Sequence, residues 1–330
     1  MKLSGMYKKI VRPGIVLTAL LGPAVFIPGC GDSNGPGEGL FTNYTTSNGL
    51  MDDKILCMTY GPDNRVYVGS YNGLSMFDGS DWSHLSGADG LPGDVVVGVA
   101  VSDSGGIWVS GFDLDDANQG KIGYFVDGEW EIFPVFNNLI HSIVSDDRQN
   151  IYWFFSEDGV TWCDGVNWGK SSSNFFGIDS SEIRVVRADG FENFWLGTRD
   201  GVYRYDWTEF DHFTKTDGIL DNVVTAIAEG GPNELWVGTT LGPSLYSNQT
   251  WEAFPNIGLA QKSITAIAVD GEKGIWVGTT TGVSRYYQNT WAAYTSENGL
   301  VNNRVTAMVS DHLGNVWIGT QGGISVYQSP

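Results

Sequence analysis

The residues of this chain best suited to chemistry are oxygen donors between positions 111 and 120. Asp113, Asp115, Asp116 and Asn118 follow one another closely there, and carboxylate and amide oxygens are the ligands that Ca²⁺ prefers. Their spacing is not that of an EF-hand loop, so the stretch also fits a solvated acidic loop without a metal. We therefore expect no cofactor, with Ca²⁺ as the one metal for which the sequence offers ligands.

Aromatic and basic side chains form a second group of candidates. Phe175 and Phe176 lie in the stretch 169–181, and exposed aromatic rings can stack on a sugar or a peptide. The alternative is that these two rings pack against the strands beneath them. The residues that would complete a ligand-binding surface with them are Tyr71, Phe112, His141, Arg199 and Arg304.

Catalytic motifs are scarce by comparison. The four histidines are far apart in the sequence. No stretch of the chain matches a nucleophile elbow, a zinc-binding pair or a phosphate-binding loop. Six carboxylates could still meet at one place and assist a metal-dependent reaction: Asp52, Asp53, Asp94, Glu157, Asp158 and Glu182. We predict that the protein is not an enzyme, and a metal-assisted lyase or hydrolase is the alternative.

A repeated aromatic phrase defines the elements that must position these residues. It begins at seven anchors, spaced by 41, 45, 42, 41, 40 and 41 residues: Tyr67, Trp108, Trp153, Trp195, Trp236, Trp276 and Trp317. A period near forty, built from four short apolar runs separated by Gly, Asp and Asn, is the signature of a β-propeller. The sequence thus predicts an all-β, seven-bladed β-propeller with four-stranded blades.

In each predicted blade the four runs form strands a to d, with strand a nearest the axis. The clearest blade has them at 264–270, 274–279, 282–287 and 290–295. The anchors are expected between adjacent sheets, where large aromatic rings contribute most to stability. The last repeat lacks strand d and the segment 41–45 is similar to one, so the N-terminal strand should complete the last blade and close the ring.

The strand directions divide the predicted loops between two faces. The d-to-a and b-to-c connections surround the mouth of the central channel, and the a-to-b and c-to-d turns lie on the other face. The main interruptions of the repeat, at 111–120 and 169–181, both belong to the mouth side. We therefore expect ligand binding there.

The N-terminus differs in kind from the repeats. Four basic residues precede an apolar run at 15–27 that ends before Cys30, as in a bacterial lipoprotein signal. This pattern predicts a signal peptide at 1–29, a lipid on Cys30, a flexible tether at 30–40 and a propeller at 41–330. An ordinary secretory signal is an alternative, as is a membrane anchor, although the run is short for a bilayer. The expected location is the cell envelope, on the periplasmic or outer side of a membrane, with the lipid as the membrane contact.

The charge of the chain restricts its partners. Without residues 1–29 it carries 14 Lys and Arg against 38 Asp and Glu, a net charge of −24. Nucleic-acid binding depends on neutralising phosphates with basic residues, so we expect no nucleic acid. Cys57 and Cys163 fall in non-adjacent repeats, so no disulfide is expected between them.

The last repeats have the most regular sequence. The stretches 305–311, 314–320 and 323–327, with 294–300 before them, resemble the two-component regulator propeller repeat. Repeats of that family form the extracytoplasmic sensor region of hybrid histidine kinases that detect polysaccharide fragments. The likeness extends over 41–330 and weakens in the third repeat, which lacks the Gly-Thr pair. It implies a sensor-like or scaffold module that binds an oligosaccharide or a protein partner.

The resemblance also defines departures from the family pattern. A second propeller, an immunoglobulin-like domain, a membrane helix after the propeller and a kinase are not found in this sequence. We therefore expect that the chain binds or scaffolds and does not signal by itself. Among enzymes, the seven-bladed lyases that open streptogramin antibiotics offer the best comparison, and they would need a base and metal-binding carboxylates at the channel.

Overall fold

The computed structural model describes residues 41–102, 104–136, 140–146, 151–156, 159–165, 167–170, 174–175, 177–189, 193–206, 208–231 and 234–328. At 116–118, 134–136, 141, 145–146 and 174–175 it describes the backbone alone. Cys30, Phe176 and the predicted signal peptide and tether lie outside the described residues.

Seven four-stranded antiparallel sheets form in the described part of the chain, and they are the seven predicted blades. The a strands of blades 1 to 7 are Ile55–Tyr60, Val95–Val101, Ile140–Asp146, Ile183–Ala188, Val224–Gly231, Ala266–Val269 and Val305–Ser310. The b strands are Val66–Ser70, Ile107–Asp113, Ile151–Ser156, Phe194–Thr198, Glu234–Thr239, Ile275–Thr279 and Val316–Thr320.

The outer half of each blade is a second hairpin. The c strands are Gly73–Phe77, Asp116–Val126, Gly159–Cys163, Gly201–Tyr205, Gly242–Ser247, Gly282–Tyr287 and Gly323–Tyr327. The d strands are Trp82–Leu85, Glu129–Phe136, Trp168–Lys170, Phe210–Phe213, Thr250–Ala253, Thr290–Tyr294 and, in blade 7, Phe41–Tyr44. Four short 3₁₀ helices are described between blades, at Gly87–Asp89, Ser180–Glu182, Lys215–Asp217 and Ser296–Asn298.

The blades are arranged as a closed ring. The a strands of adjacent blades contact one another all the way round, including those of blades 7 and 1. Phe41–Tyr44 pairs with Gly323–Tyr327, with Phe41 opposite Tyr327 and Tyr44 opposite Ile324. The predicted β-propeller and its closure by the N-terminal strand are both confirmed. The last blade has all four strands because the N-terminal strand pairs with its c strand.

The anchors pack between neighbouring blades. Trp276 of blade 6 has no exposed surface, and its ring lies 6.1 Å from Phe41 and 4.7 Å from Tyr327, both in blade 7. The glycine two residues after each regular anchor lets the next blade approach: a Cβ on Gly319 would lie 2.7 Å from the Ile55 side chain. The phrase therefore specifies contacts between blades.

Small residues of the a strands face these glycines across the sheet. Ala266 pairs with Gly278, and Cys57 takes the same place opposite Gly69 in blade 1. Burial raises the pKa of the Cys57 thiol to about 12, so the group stays protonated and acts as a small apolar side chain. Cys57 and Cys163 are both free cysteines.

The stretch 111–120 forms a hairpin, so the prediction of an acidic loop was wrong. Strands Ile107–Asp113 and Asp116–Val126 continue the ladder through it, with Asp113 opposite Asp116 across a two-residue turn. The backbone N–H and C=O groups of Gly and Asp can take part in an antiparallel ladder although these residue types are uncommon in strands. Both strands therefore continue through the Gly and Asp residues up to the turn.

The connection 169–181, predicted as a long loop, is also partly regular. It begins with the end of strand Trp168–Lys170, and it contains a short hairpin of Asn174–Phe175 with Ile178–Asp179. The Asp179 carboxylate then accepts the Ser181 N–H at 3.0 Å and begins a 3₁₀ turn.

Candidate functional site

One end of every blade carries the d-to-a and b-to-c connections, and we call this surface the mouth face. In blade 1, Ile55 at the start of strand a lies opposite Ser70 at the end of strand b. Four candidate residues lie at this end: Tyr71 and Arg199 directly follow a b strand, Arg304 directly precedes an a strand, and Phe112 lies near the end of the extended b strand of blade 2. The fold thus brings residues from blades 1, 2, 4 and 7 to the same face.

Tyr71 is the exposed aromatic candidate whose surroundings are fully described. Its side chain is 38% exposed, and the Lys54 Nζ lies 5.5 Å from its ring centroid. That distance is within the range of a cation–π contact. The pair presents a ring face and an ammonium group on one blade.

The two candidate arginines are exposed while their backbones are held in place. The Arg199 N–H donates to the Glu182 carbonyl at 3.1 Å. The Arg304 N–H donates to Asn302 Oδ1 at 2.8 Å, and its carbonyl accepts the Gln321 N–H at 3.1 Å. Both guanidinium groups are therefore carried by ordered turns.

The remaining aromatic and imidazole candidates are less open or less fully described. Phe112 is half-buried and lies opposite Val95 in the extended hairpin of blade 2. His141 lies at an irregularity where the ladder shifts between Ile140 and Ser142, and its side chain is outside the described atoms. Phe175 lies in the short hairpin, again with its backbone alone described. No hydrogen bond, ion pair or ring contact joins two of the predicted candidates among the described side chains.

The d-to-a connections of the mouth face are held by local hydrogen bonds. In blade 5's connection the Thr214 N–H donates to Asp217 Oδ2 at 2.8 Å, which helps to lower the pKa of Asp217. The Lys215 N–H donates to Asn222 Oδ1 at 2.9 Å, and the Leu220 N–H donates to Ser244 Oγ at 3.0 Å. These bonds preorganise the rim of the channel.

The predicted calcium ligands are only partly described. Asp113 forms an ion pair with the Lys121 ammonium group, and Asp115 is exposed at the hairpin turn. The side chains of Asp116 and Asn118 are outside the described atoms. Among the described residues, no group of three or more His, Cys, Asp or Glu is arranged to hold a metal ion. The calcium site stays a prediction, and Lys121 would compete with a cation for Asp113.

On the opposite face, with the a-to-b and c-to-d turns, aspartates bond to the anchor indoles, which the sequence analysis did not predict. A turn aspartate accepts the anchor indole N–H at 2.7 Å in Asp189–Trp195 and at 2.9 Å in Asp270–Trp276. Asp311 and Trp317 do the same at 3.0 Å. The constant spacing of six residues would have revealed this bond, which ties the turn to the core between blades.

An arginine lies between blades 6 and 7 on this face, beside the Trp276 and Tyr327 rings, and we call its place slot 6–7. Arg285 Nε donates to the buried Asp270 at 2.6 Å, and its Nη2 donates to Glu272 at 2.7 Å. Its guanidinium carbon lies 5.2 Å from the Tyr327 ring centroid. Although burial disfavours the charged form, these hydrogen bonds raise the pKa of Arg285 above its usual value.

Two stretches of the chain, 258–281 and 299–322, match the family model described as two component regulator propeller. Each of these two stretches is similar to a two-component regulator propeller repeat. The matched stretches run from the d-to-a connections into the b strands of blades 6 and 7. The resemblance inferred from the sequence is confirmed. The comparison with curated proteins found no match.

Solved structures share the fold of these repeats. The extracellular domain of a protein assigned to the hybrid two component systems of B. thetaiotaomicron is 19% identical, with a TM-score of 0.72 over 90% of this chain and 42% of that one. A streptogramin B lyase is 15% identical, with a TM-score of 0.67 over 87% of this chain and 96% of the lyase. PorZ, a surface component of the type-IX secretion system of Porphyromonas gingivalis, is 17% identical, with a TM-score of 0.66 over 87% and 48%.

At these identities the likeness shows the fold alone, and an extracellular domain of a two component system, a surface protein and a lyase all share that fold. The chain spans less than half of the length of the B. thetaiotaomicron domain and of PorZ. The part of the chain that the structure describes has no helix with the length and hydropathy needed to cross a membrane.

Proposed function

We propose that this chain is an exported, non-enzymatic propeller that binds an oligosaccharide or a protein partner at its mouth face. The observation that carries the proposal is the rim itself: Tyr71 and Lys54 are exposed as a pair, and Arg199 and Arg304 are exposed on turns with hydrogen-bonded backbones. Binding to such a surface requires little ordering of the protein, which favours affinity. Ring, amide and guanidinium groups suit the faces and hydroxyls of a sugar.

The comparisons support a role outside the cytoplasm as a sensor-like or scaffold module. The propeller fold is shared with an extracellular domain of a two component system and with a bacterial surface protein. Those proteins extend beyond the part that this chain matches, so their activities are not transferred with the fold. In this proposal the chain recognises a ligand and another protein carries any signal.

A thermal-shift screen tests binding at the mouth face. The full-length chain is melted with a panel of oligosaccharides and with Ca²⁺, beside the variants Tyr71→Ala and Arg304→Ala. Arg65→Ala is the matched control, since Arg65 is exposed in a turn of the opposite face. We expect one oligosaccharide to raise the Tm of the wild type and the control by several degrees and to leave Tyr71→Ala unchanged.

An unchanged Tm with every oligosaccharide would contradict glycan binding. A pull-down of envelope proteins with the same variants then tests a protein partner, which should be lost with Tyr71→Ala and kept with Arg65→Ala. The double variant Phe175→Ala, Phe176→Ala asks in both assays whether the 169–181 connection takes part.

The lipid on Cys30 is a separate part of the proposal. Two acyl chains on one residue would give stable anchoring, whereas a single chain binds a membrane only marginally. In cells, Cys30→Ala should be exported and should move from the membrane fraction to the soluble fraction. Persistence of the variant in the membrane fraction would contradict the anchor.

A lyase is the second candidate function, because the fold matches nearly the whole of a streptogramin B lyase. The described histidines give it little support: His84 bonds to Ser75, His212 to the Asp200 carbonyl and His312 to Tyr60, each in a different blade. Opening of streptogramin B by the purified chain with Mg²⁺ would favour the lyase over our proposal.

A further inference from the structure

Two arginines of this propeller occupy the same place in their repeats and adopt different partners. Arg204 lies opposite Trp195 in blade 4, and Arg285 lies opposite Trp276 in blade 6. Across the c–d hairpin, Arg204 faces Asp211, whereas Arg285 faces Ala292. The d strand therefore offers a carboxylate to one arginine and a methyl group to the other.

The guanidinium carbons lie at similar distances from their anchor rings, 5.7 Å for Arg204 and 5.9 Å for Arg285, but the two groups bond to different carboxylates. Arg204 Nε donates to Asp211 Oδ2 at 2.9 Å, and a second nitrogen of Arg204 bonds to the same oxygen. With no such partner on its d strand, Arg285 turns to Asp270 and reaches Tyr327 of the next blade. In the described part of the chain Arg204 has no corresponding contact with Tyr246, which is the equivalent of Tyr327.

Beside Arg204, a cavity lies between blades 4 and 5 on the face opposite the mouth, and we call it slot 4–5. Its volume is about 510 Å³, and its lining includes Trp195 and Tyr246. A cavity of this size is in the range of small-molecule and side-chain binding sites. Trp195 and Tyr246 are the equivalents of Trp276 and Tyr327, which lie beside the Arg285 guanidinium in slot 6–7.

The charge of slot 4–5 is negative. Among the described residues that line the cavity, Asp189, Glu229 and Glu234 are acidic, and Arg204, which is bound to Asp211, is basic. Glu229 lies at the strand position that Ser310 occupies in slot 6–7, where a hydroxyl contacts the neighbouring blade. Slot 4–5 therefore has a carboxylate at a position where slot 6–7 has a hydroxyl.

We propose that slot 4–5 binds the arginine side chain of a basic peptide segment on a partner protein. The guanidinium would take the place that Arg285 takes in slot 6–7, between carboxylates and against the face of Tyr246. Charge-assisted hydrogen bonds and stacking on aromatic rings favour arginine over other side chains at such a site. The site is on the face opposite the mouth, so it stands independently of the ligand proposed there.

A short peptide pair tests this site on the full-length chain. Acetyl-Gly-Arg-Gly-amide is titrated by NMR and calorimetry, and the same peptide with citrulline replaces the guanidinium by a neutral group of equal shape. We expect binding of the arginine peptide, weakening as salt is raised, and at least about tenfold weaker binding of the citrulline peptide, since each bond to a charged group is worth about 1.5–3 kcal/mol.

Variants then locate the binding. The double variant Glu229→Gln, Glu234→Gln should weaken binding of the arginine peptide by about tenfold or more. Asp211→Ala should also abolish binding, because the released Arg204 can enter the slot as Arg285 does. Glu272→Gln is the matched control, since Glu272 belongs to a slot that is already filled, and it should bind like the wild type.

Three results would overturn the proposal. These are equal binding of the two peptides, unchanged binding by the Glu229→Gln, Glu234→Gln variant, and equal weakening by Glu272→Gln, which would indicate attraction to the acidic surface as a whole. Circular dichroism confirms that each variant is folded, and Tyr71→Ala, which alters only the mouth face, should bind the peptide normally.

Discussion

Slots 4–5 and 6–7 are formed by equivalent positions of different repeats, and they differ in what fills them. In slot 6–7 the guanidinium of Arg285 joins a turn, an aromatic ring and the next blade into one closed contact. In slot 4–5 the equivalent Arg204 is paired with its own d strand, and a cavity is left. The difference teaches that equivalent places in two blades can hold a closed structural contact in one and an open cavity in the other without a change of fold.

The largest expected effect comes from removing the ring at the filled slot. Trp276→Ala should lower the free energy of unfolding by about 4 kcal/mol, because a fully buried ring and its bond to Asp270 are lost. Trp195→Ala, beside the open slot, should cost about 1 kcal/mol less, since its ring already borders a cavity. Urea unfolding measures both, and an equal loss would show that the two slots are packed alike.

The turn aspartates should separate the slots in the same direction. Asp270→Asn leaves Arg285 without its buried partner and should cost about 3 kcal/mol. Asp189→Asn keeps a side-chain oxygen that can accept the Trp195 indole N–H, so about 1 kcal/mol is expected. If Asp189→Asn proves the more damaging variant, slot 4–5 is held by its carboxylate and is not a free site.

The reverse exchange on the d strand should open the filled slot. Ala292→Asp offers Arg285 the partner that Asp211 offers Arg204 and should draw the guanidinium outward, at a cost of about 1 kcal/mol in stability. The same variant should then bind acetyl-Gly-Arg-Gly-amide at a second site in the calorimeter. A stoichiometry that stays at one peptide per chain would contradict the role given to the d strand.

The smallest effect on stability is expected for Asp211→Ala. Its side chain is 44% exposed and that of Arg204 is 30% exposed, and an ion pair so close to water contributes little. We expect a change within about 0.5 kcal/mol, in contrast to a large change in peptide binding. A variant that unfolds readily would show instead that this ion pair supports blade 4.

Much of the architecture was predictable from the sequence because the residues that specify it recur in every repeat. The spacing of the anchors and the likeness of 41–45 to a d strand were enough to predict seven blades and their closure. These features concern backbone geometry and packing, which every repeat must satisfy in the same way.

The slots were not predictable because they depend on registers between strands. Arg204 and Arg285 have the same place in their repeats, and only the c–d pairing shows that one faces Asp211 and the other Ala292. The hairpin through 111–120 was missed for a related reason, since its ladder depends on a turn that the residue types did not reveal. The six-residue spacing of Asp270 and Trp276, by contrast, was visible in the sequence and was overlooked.

A crystal structure of the chain with acetyl-Gly-Arg-Gly-amide is the most direct test of the account. It should show the peptide guanidinium in slot 4–5, bonded to Glu229 or Glu234 and packed on Tyr246, with Arg204 still on Asp211. A peptide bound at the mouth face, or an Arg204 side chain found filling the slot itself, would contradict the account.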